Sequence, residues 1–160
     1  EEFVVHVVDP DQAIAEGLAT LLNTYGIKVC SYPDAETFLD SRMQLRPGHS
    51  CLLIEAELPG LSGPALVQIL LDEFADLPVL LLINTSPPGL IEMARRSSRF
   101  GVIEKPFRNG MLIEQVLQFR HVACASSYLW AATGRYGEHP LFCCLLKEQD
   151  YSHYQQVCAD

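Results

Sequence analysis

The chain is 160 residues long, with 49% hydrophobic and 19% charged residues and a formal net charge of −9. That length and balance fit one globular domain with room for a core plus an appendage, and they exclude a disordered chain. The acidic balance excludes a nucleic-acid surface made by the whole chain, and no run approaches the roughly 18 apolar residues of a membrane span.

Residues 3–8 (Phe-Val-Val-His-Val-Val) are β-branched and almost wholly apolar, which predicts a central parallel strand. His6 inside it reads as a core histidine. Asp9-Pro10-Asp11 ends that strand and opens a helix that either Asp can cap, with Pro in the first turn. Ile14, Leu18, Leu21, Leu22 and Tyr25 recur at helical spacing and predict its inner face, and Gly26 predicts its stop. Residues 27–32 read as a short second strand. Pro33-Asp34 opens a second helix with Ala35, Phe38 and Leu39 facing inward, and residues 42–49 form a polar connection with a Pro-Gly turn.

Residues 51–63 (Cys-Leu-Leu-Ile-Glu-Ala-Glu-Leu-Pro-Gly-Leu-Ser-Gly) join a four-residue apolar run to an acid, Glu55, and then to two turn signals. Such a run predicts a third strand buried on both faces, with Glu55 at its carboxyl end, where open α/β sheets bind ligands and do chemistry. A third helix follows from residues 62–64, carrying Leu66, Ile69, Leu70 and Phe74. Residues 77–83 are a fourth apolar strand, 84–89 a loop, and 90–98 a short helix with Leu90, Ile91 and Ala94 apolar. Arg95, Arg96 and Arg99 lie towards its end, a placement that suits the helix dipole. Residues 100–103 read as a fifth strand, followed by Glu104-Lys105-Pro106-Phe107 and a last helix over 110–120 with Leu112, Ile113, Val116, Leu117 and Phe119 on its apolar side.

Strands alternating with helices in this way predict an α/β, doubly wound parallel sheet. Asp9, Glu55, Asn84 and Lys105 then all fall at or just past strand carboxyl ends, on one edge of the sheet. Cys30 and Cys51 lie in apolar strand-like runs, and the remaining cysteines are unpatterned in the last forty or so residues, which fits a reducing cytoplasm better than a disulfide framework.

The strand–acid start Val-Val-Asp, the stretch from Glu55 through Pro59-Gly60 to Ser62-Gly63, Pro78-Val79-Leu80-Leu81-Leu82 and Glu104-Lys105-Pro106-Phe107 come in this order and spacing. Over residues 3–120 the chain resembles the receiver domain of two-component response regulators. The resemblance implies a flavodoxin-like sheet of order 2-1-3-4-5 with five flanking helices. It also implies a signalling module rather than an enzyme, one that takes a phosphoryl group from a histidine kinase onto an Asp with Mg²⁺. In such chemistry the protein supplies the nucleophile, positioning and charge neutralisation.

Against that pattern the chain departs at most key positions. The phosphoacceptor-equivalent residue is Glu55, whose extra methylene moves the carboxylate by about 1.5 Å, a misplacement that can cost ~10² in rate. The paired acids after strand one become Asp9-Pro10, and Pro10 offers no side-chain oxygen to an ion that demands oxygen ligands. Asp9 and Glu55 are left as a weakened or absent Mg²⁺ site, with no other cofactor expected. The switch Thr/Ser-equivalent residue is Ile83, although a slip of one or two positions would put Asn84 or Thr85 there, and the switch aromatic-equivalent is Val102. Lys105 is retained, and the resemblance implies a cis bond to Pro106. These departures predict a degenerate receiver that keeps the fold and loses phosphotransfer, with Glu55 either imitating the phosphorylated state or pairing with Lys105. The alternative is an active, Mg²⁺-dependent phosphoacceptor with a modified acidic site.

Residues 121–160 read as a C-terminal extension beyond a receiver domain at 1–120. They match no output module, and they are too short and too weakly basic for a helix-turn-helix unit. His121 with Cys124, His139 with Cys143 and His153 with Cys158 raise a second alternative, a zinc-binding or dimerisation tail. Residues 123–132 can extend the last helix, and 141–146 are apolar enough to pack on a neighbour. The expected partners are a protein, either a histidine kinase or an output or regulatory domain, and a second copy through the face of helix four, strand five and helix five. Direct nucleic-acid or membrane binding is not expected, and the expected location is the cytoplasm.

Overall fold

The computed structural model describes residues 2–46, 48–74, 77–86, 88–97 and 99–133, without side chains at 93 and 122–133. Among the described residues five strands alternate with five α-helices, with a short 3-10 turn at Arg42–Gln44. They are β1 (Val4–Val8), α1 (Gln12–Asn23), β2 (Lys28–Tyr32), α2 (Ala35–Asp40), β3 (Ser50–Glu55), α3 (Gly63–Glu73), β4 (Val79–Ile83), α4 (Pro88–Arg95), β5 (Phe100–Glu104) and α5 (Asn109–Thr133). All strand pairs are parallel, in the order β2-β1-β3-β4-β5. The expected doubly wound sheet is therefore present, with its expected order.

The strands read as continuous apolar runs because both faces of the sheet are covered. On one face Val5, Val7, Cys51, Leu53, Leu80 and Leu82 pack against Ala15, Leu18 and Leu22 of α1 and Leu112, Ile113, Val116 and Phe119 of α5. On the other, Val8, Leu52, Ile54, Leu81 and Ile83 pack against Ala35 and Phe38 of α2 and Leu66, Val67 and Leu70 of α3, with Leu90 and Ala94 of α4 added. Period-two alternation along each strand thus feeds two cores. Every residue of β3 is buried, as is every residue of β4, which fixes Glu55 at the end of a wholly enclosed strand.

His6 is a core histidine, as expected. Its Nδ1 lies 3.1 Å from the Tyr32 hydroxyl and its ring stacks near Tyr32 and meets Phe38 edge-on. Burial pushes its imidazole down to about 4.

Several boundaries and one helix face differ from expectation. Ile14 and Tyr25 were expected inside α1, yet they are 43% and 50% exposed. The buried stripe is Ala15, Leu18 and Leu22; Ile14 lies one residue, about 100°, off it. Tyr25 comes after the helix has ended at Asn23, where the Thr24 N–H still bonds back to α1 and Gly26 turns the chain at φ +70°. Helix α4 begins at Pro88 rather than at residue 90. The last helix, expected over 110–120 with 123–132 able to extend it, runs from Asn109 to Thr133. The expectations for Cys143, Cys144, Cys158, His139, His153 and 141–146 concern positions outside the described residues, and of Cys124 only the backbone is described.

Candidate functional site

The three charged residues at the sheet edge are each placed by local chemistry. Asp9 follows β1, its N–H donating to the Tyr32 carbonyl at 3.0 Å and its Oδ1 accepting from the Asp11 N–H at 2.8 Å. Asp11 is the cap of α1, its Oδ1 accepting from the N–H groups of Ala13 at 2.9 Å and Ile14 at 3.2 Å. Its carboxylate is thereby turned onto its own helix. Glu55 is the last residue of β3. Lys105 follows β5 directly, its N–H bonded to the Ile83 carbonyl at 2.7 Å and its peptide bond to Pro106 cis.

These placements bring Lys105 and Glu55, 50 residues apart in sequence, into an ion pair between Nζ and Oε2. The other Glu55 oxygen, Oε1, accepts from the Glu57 N–H at 3.1 Å. The side chains are 25% and 7% exposed, so the pair is shielded from solvent mainly on the glutamate side. Asp9 Oδ2, by contrast, is buried and has no hydrogen-bond partner. Burial raises the Asp9 carboxyl above its ordinary value of 3.8, against the pull of the Asp11 N–H; the Glu55 charge adds to the rise and Lys105 opposes it. Two acids and one base leave the site with one excess negative charge when all are ionised.

The loops around this site are held by carboxylates from neighbouring elements. Glu36 of α2 accepts from the Leu61 N–H at 2.9 Å and lies over Gly60, whose φ of +71° is one that side-chain-bearing residues rarely adopt. Ser62 caps α3, its Oγ accepting from the Ala65 N–H at 3.3 Å. Gly63 lets that helix start against the end of β3: a Cβ there would lie 2.5 Å from the Glu55 carbonyl oxygen and 2.7 Å from Ala56 Cα. Asn84 Nδ2 donates to Glu57 Oε1 at 3.1 Å, and Ser86 Oγ to Glu104 Oε2 at 3.0 Å.

The two positions expected at the switch carry apolar side chains that pack on one core cluster, Ile83 within it and Val102 at its margin. Ile83 ends β4, pairs with Glu104 in register, and is 2% exposed. Val102 is half-buried and packs on the same apolar cluster. Asn84 and Thr85 are exposed in the loop that follows. Sequence reasoning missed Glu57, Ser86, Glu104 and Glu36 as parts of the site. Glu57, two residues after Glu55 in a turn, and Glu104, directly before Lys105, carried a local signal. Among the described residues no group of three or more His, Cys, Asp or Glu side chains converges as a metal-binding set.

The profile of the response regulator receiver domain matches residues 5–117. The transcriptional regulatory protein FixJ of Azorhizobium caulinodans is 32% identical over 116 residues, covering 72% of this chain and 54% of that protein. The response regulator protein TmoT of Ectopseudomonas mendocina is 31% identical over 116 residues, covering 71% of this chain and 50% of that protein. The chain thus spans about half the length of these relatives. Among solved structures, the response regulator StyR superposes with a TM-score of 0.72 at 25% identity, over 84% of this chain and 67% of that one. The crystal structure of FixJ-N gives 0.64 at 24% identity, over 76% and 95%, a likeness of fold. With its profile, its relatives and the 2-1-3-4-5 sheet in agreement, the chain belongs to the family of response regulator receiver domains.

Proposed function

We propose that this receiver domain works as a regulatory protein-interaction module that is not phosphorylated, with Glu55 fixed in the phosphoacceptor position by Lys105. The observation that carries the reading is the occupation of both Glu55 oxygens, Oε2 by the Lys105 ammonium and Oε1 by the Glu57 N–H. A nucleophile in that state must first give up a shielded ion pair, and its carboxylate already sits about one bond length further out than an Asp would place it.

The metal that the family uses fits these residues poorly. Mg²⁺ takes oxygen ligands in near-octahedral geometry, commonly with one or two carboxylates. Here Pro10 offers none, Asp11 caps its helix, and Glu55 is engaged. Among the described residues, Asp9 Oδ2 is the buried carboxylate oxygen at the sheet edge without a hydrogen-bond partner. The two switch-equivalent positions, Ile83 and Val102, have no hydroxyl to bond a phosphoryl oxygen.

The partner in this reading is a protein, a kinase or an output domain of the kind that receivers serve in two-component signalling, and the setting is the cytoplasm. The face of α4, β5 and α5 is the surface proposed to meet it or a second copy; Arg95 and Arg96 lie there, the latter paired with Glu92 at 2.9 Å. Among the described residues no helix is long and apolar enough to cross a membrane.

Incubation with acetyl phosphate and Mg²⁺, followed by intact-mass measurement, tests the reading. No adduct is expected. A stable gain of about 80 Da would overturn it in favour of the second reading, an active phosphoacceptor, which the unpartnered Asp9 Oδ2 favours as a cation ligand. Loss of that gain in Glu55→Gln would then place the phosphoryl group on Glu55.

A further inference from the structure

The connection between β4 and α4 is tied to the charged cluster by a continuous run of hydrogen bonds. Lys105 holds Glu55, Glu55 Oε1 holds the Glu57 N–H, and the Glu57 carboxylate holds the Asn84 amide at 3.1 Å. A second carboxylate, Glu104 at the end of β5, holds Ser86 at 3.0 Å two residues further on. Ile83, directly before this connection, contributes only its backbone carbonyl, to the Lys105 N–H, while its side chain is sealed in the core. Among the described residues, the loop is therefore linked to the cluster through Asn84 by way of Glu57 rather than through the Ile83 side chain, and Ser86 is held separately by Glu104.

We infer that Glu57 is a positioning residue that relays the state of the Glu55–Lys105 pair to the β4–α4 connection through Asn84, with Glu104 and Ser86 as a second, independent clamp. The inference rests on the reading of Glu55 and Lys105 as a standing pair. Its physical basis is that Glu57 is gripped twice, by its N–H from the Glu55 side and by its carboxylate from the Asn84 side. A shift of the Glu55 carboxylate must then turn the residue that anchors the loop. Both loop contacts are solvent-exposed hydrogen bonds, so each is weak enough to open and close. Coupling by way of an element with two arrangements is the physical requirement for such a relay.

Amide hydrogen exchange on the whole chain, without any phosphoryl donor, tests it. Glu57→Ala and Asn84→Ala are each expected to raise exchange over residues 84–95 by about threefold, the size expected for one exposed hydrogen bond, and the double variant by no more than either alone. Glu55→Gln is expected to raise exchange in the same segment when Asn84 is present and to add nothing in the Asn84→Ala background. Ser86→Ala is expected to add to Asn84→Ala. Wild-type exchange in Glu57→Ala and Asn84→Ala would overturn the relay, as would a Glu55→Gln effect of equal size with and without Asn84. A rise shared equally by peptides from β1 and β3 would overturn it too, since that is general destabilisation. Acetyl phosphate labelling of the same samples keeps the two proposals separable: an adduct on the wild-type chain ends the unphosphorylated reading whatever the exchange pattern, and the exchange pattern stands or falls without labelling.

Discussion

Lys105 is committed to Glu55, and Asp9 is left as the acid whose charge the site does not neutralise by direct contact. A buried polar atom without a partner costs the native state on the order of 1–3 kcal/mol. Replacing the carboxylate by an amide of the same shape removes its charge beside Glu55 and keeps an oxygen for the Asp11 N–H. Asp9→Asn is therefore expected to stabilise the protein at pH 7 by about 1 kcal/mol, a few degrees in thermal midpoint. The pH dependence has a definite sign. An acid whose native pKa is raised binds its proton more tightly when folded, so the stability it contributes is fully present in acid, below its unfolded value of 3.8, and is lost as pH rises through the elevated native value. The advantage of Asp9→Asn should accordingly shrink as pH falls through that native value. Thermal unfolding of both proteins across pH 4 to 7, about the range in which carboxyl groups titrate, checks this; an Asn variant less stable at neutral pH, or an advantage that ignores pH, would refute it.

Element starts were legible because their signals are local. Asp11, Asp34 and Ser62 all cap helices by accepting from N–H groups within the next three residues, and a cap needs no knowledge of the rest of the fold. The face of α1 was less legible, since Ile14 and Ala15 are both apolar and only packing against Val5, Val7 and their neighbours decides which one turns inward. Gly63 shows a third kind of limit. Its place after Ser62 read as a turn signal, whereas the demand on it is non-local: α3 begins against the backbone of Glu55 and Ala56, and the Gly63 N–H bonds the Ala56 carbonyl at 3.0 Å. A methyl group 2.5 Å from a carbonyl oxygen and 2.7 Å from a Cα has no flexible neighbour to displace. Gly63→Ala is expected to destabilise by about 2–3 kcal/mol, as overpacking against rigid backbone does, and to shift the start of α3 away from Glu55. Urea unfolding measures the first effect. A loss below about 0.5 kcal/mol, the size of an ordinary surface change, would show that the helix end yields freely. The contacts from Glu57 to Asn84 and from Glu104 to Ser86 span 27 and 18 residues, and nothing local in either partner announces the other. The strand pattern put Glu55 and Lys105 on one edge of the sheet, and the family resemblance paired them.

At the scale of the whole chain, the five strands and both described core clusters are drawn from residues 3–119. Leu112, Ile113, Val116 and Phe119 are the buried residues of α5, and Phe119 is the last of them among the residues whose side chains are described. The family profile stops at residue 117. Apolar burial is the dominant favourable term in folding, and among the side chains described in α5 it ends at Phe119. Helix α5 nevertheless runs on to Thr133, so a cut after Arg120 opens the helix in its middle and costs a few backbone hydrogen bonds at the new end, where the last carbonyls can turn to water. The chain ending at Arg120 is therefore expected to fold and unfold cooperatively, with a thermal midpoint within about 5 °C of the whole chain, since changes of ~1 kcal/mol move a domain of this size by that order. Circular dichroism melts of the two proteins decide the matter. Loss of a cooperative transition in the shorter chain would mean that residues after 120 complete the core, and that the receiver unit of this protein is larger than the part its family profile recognises.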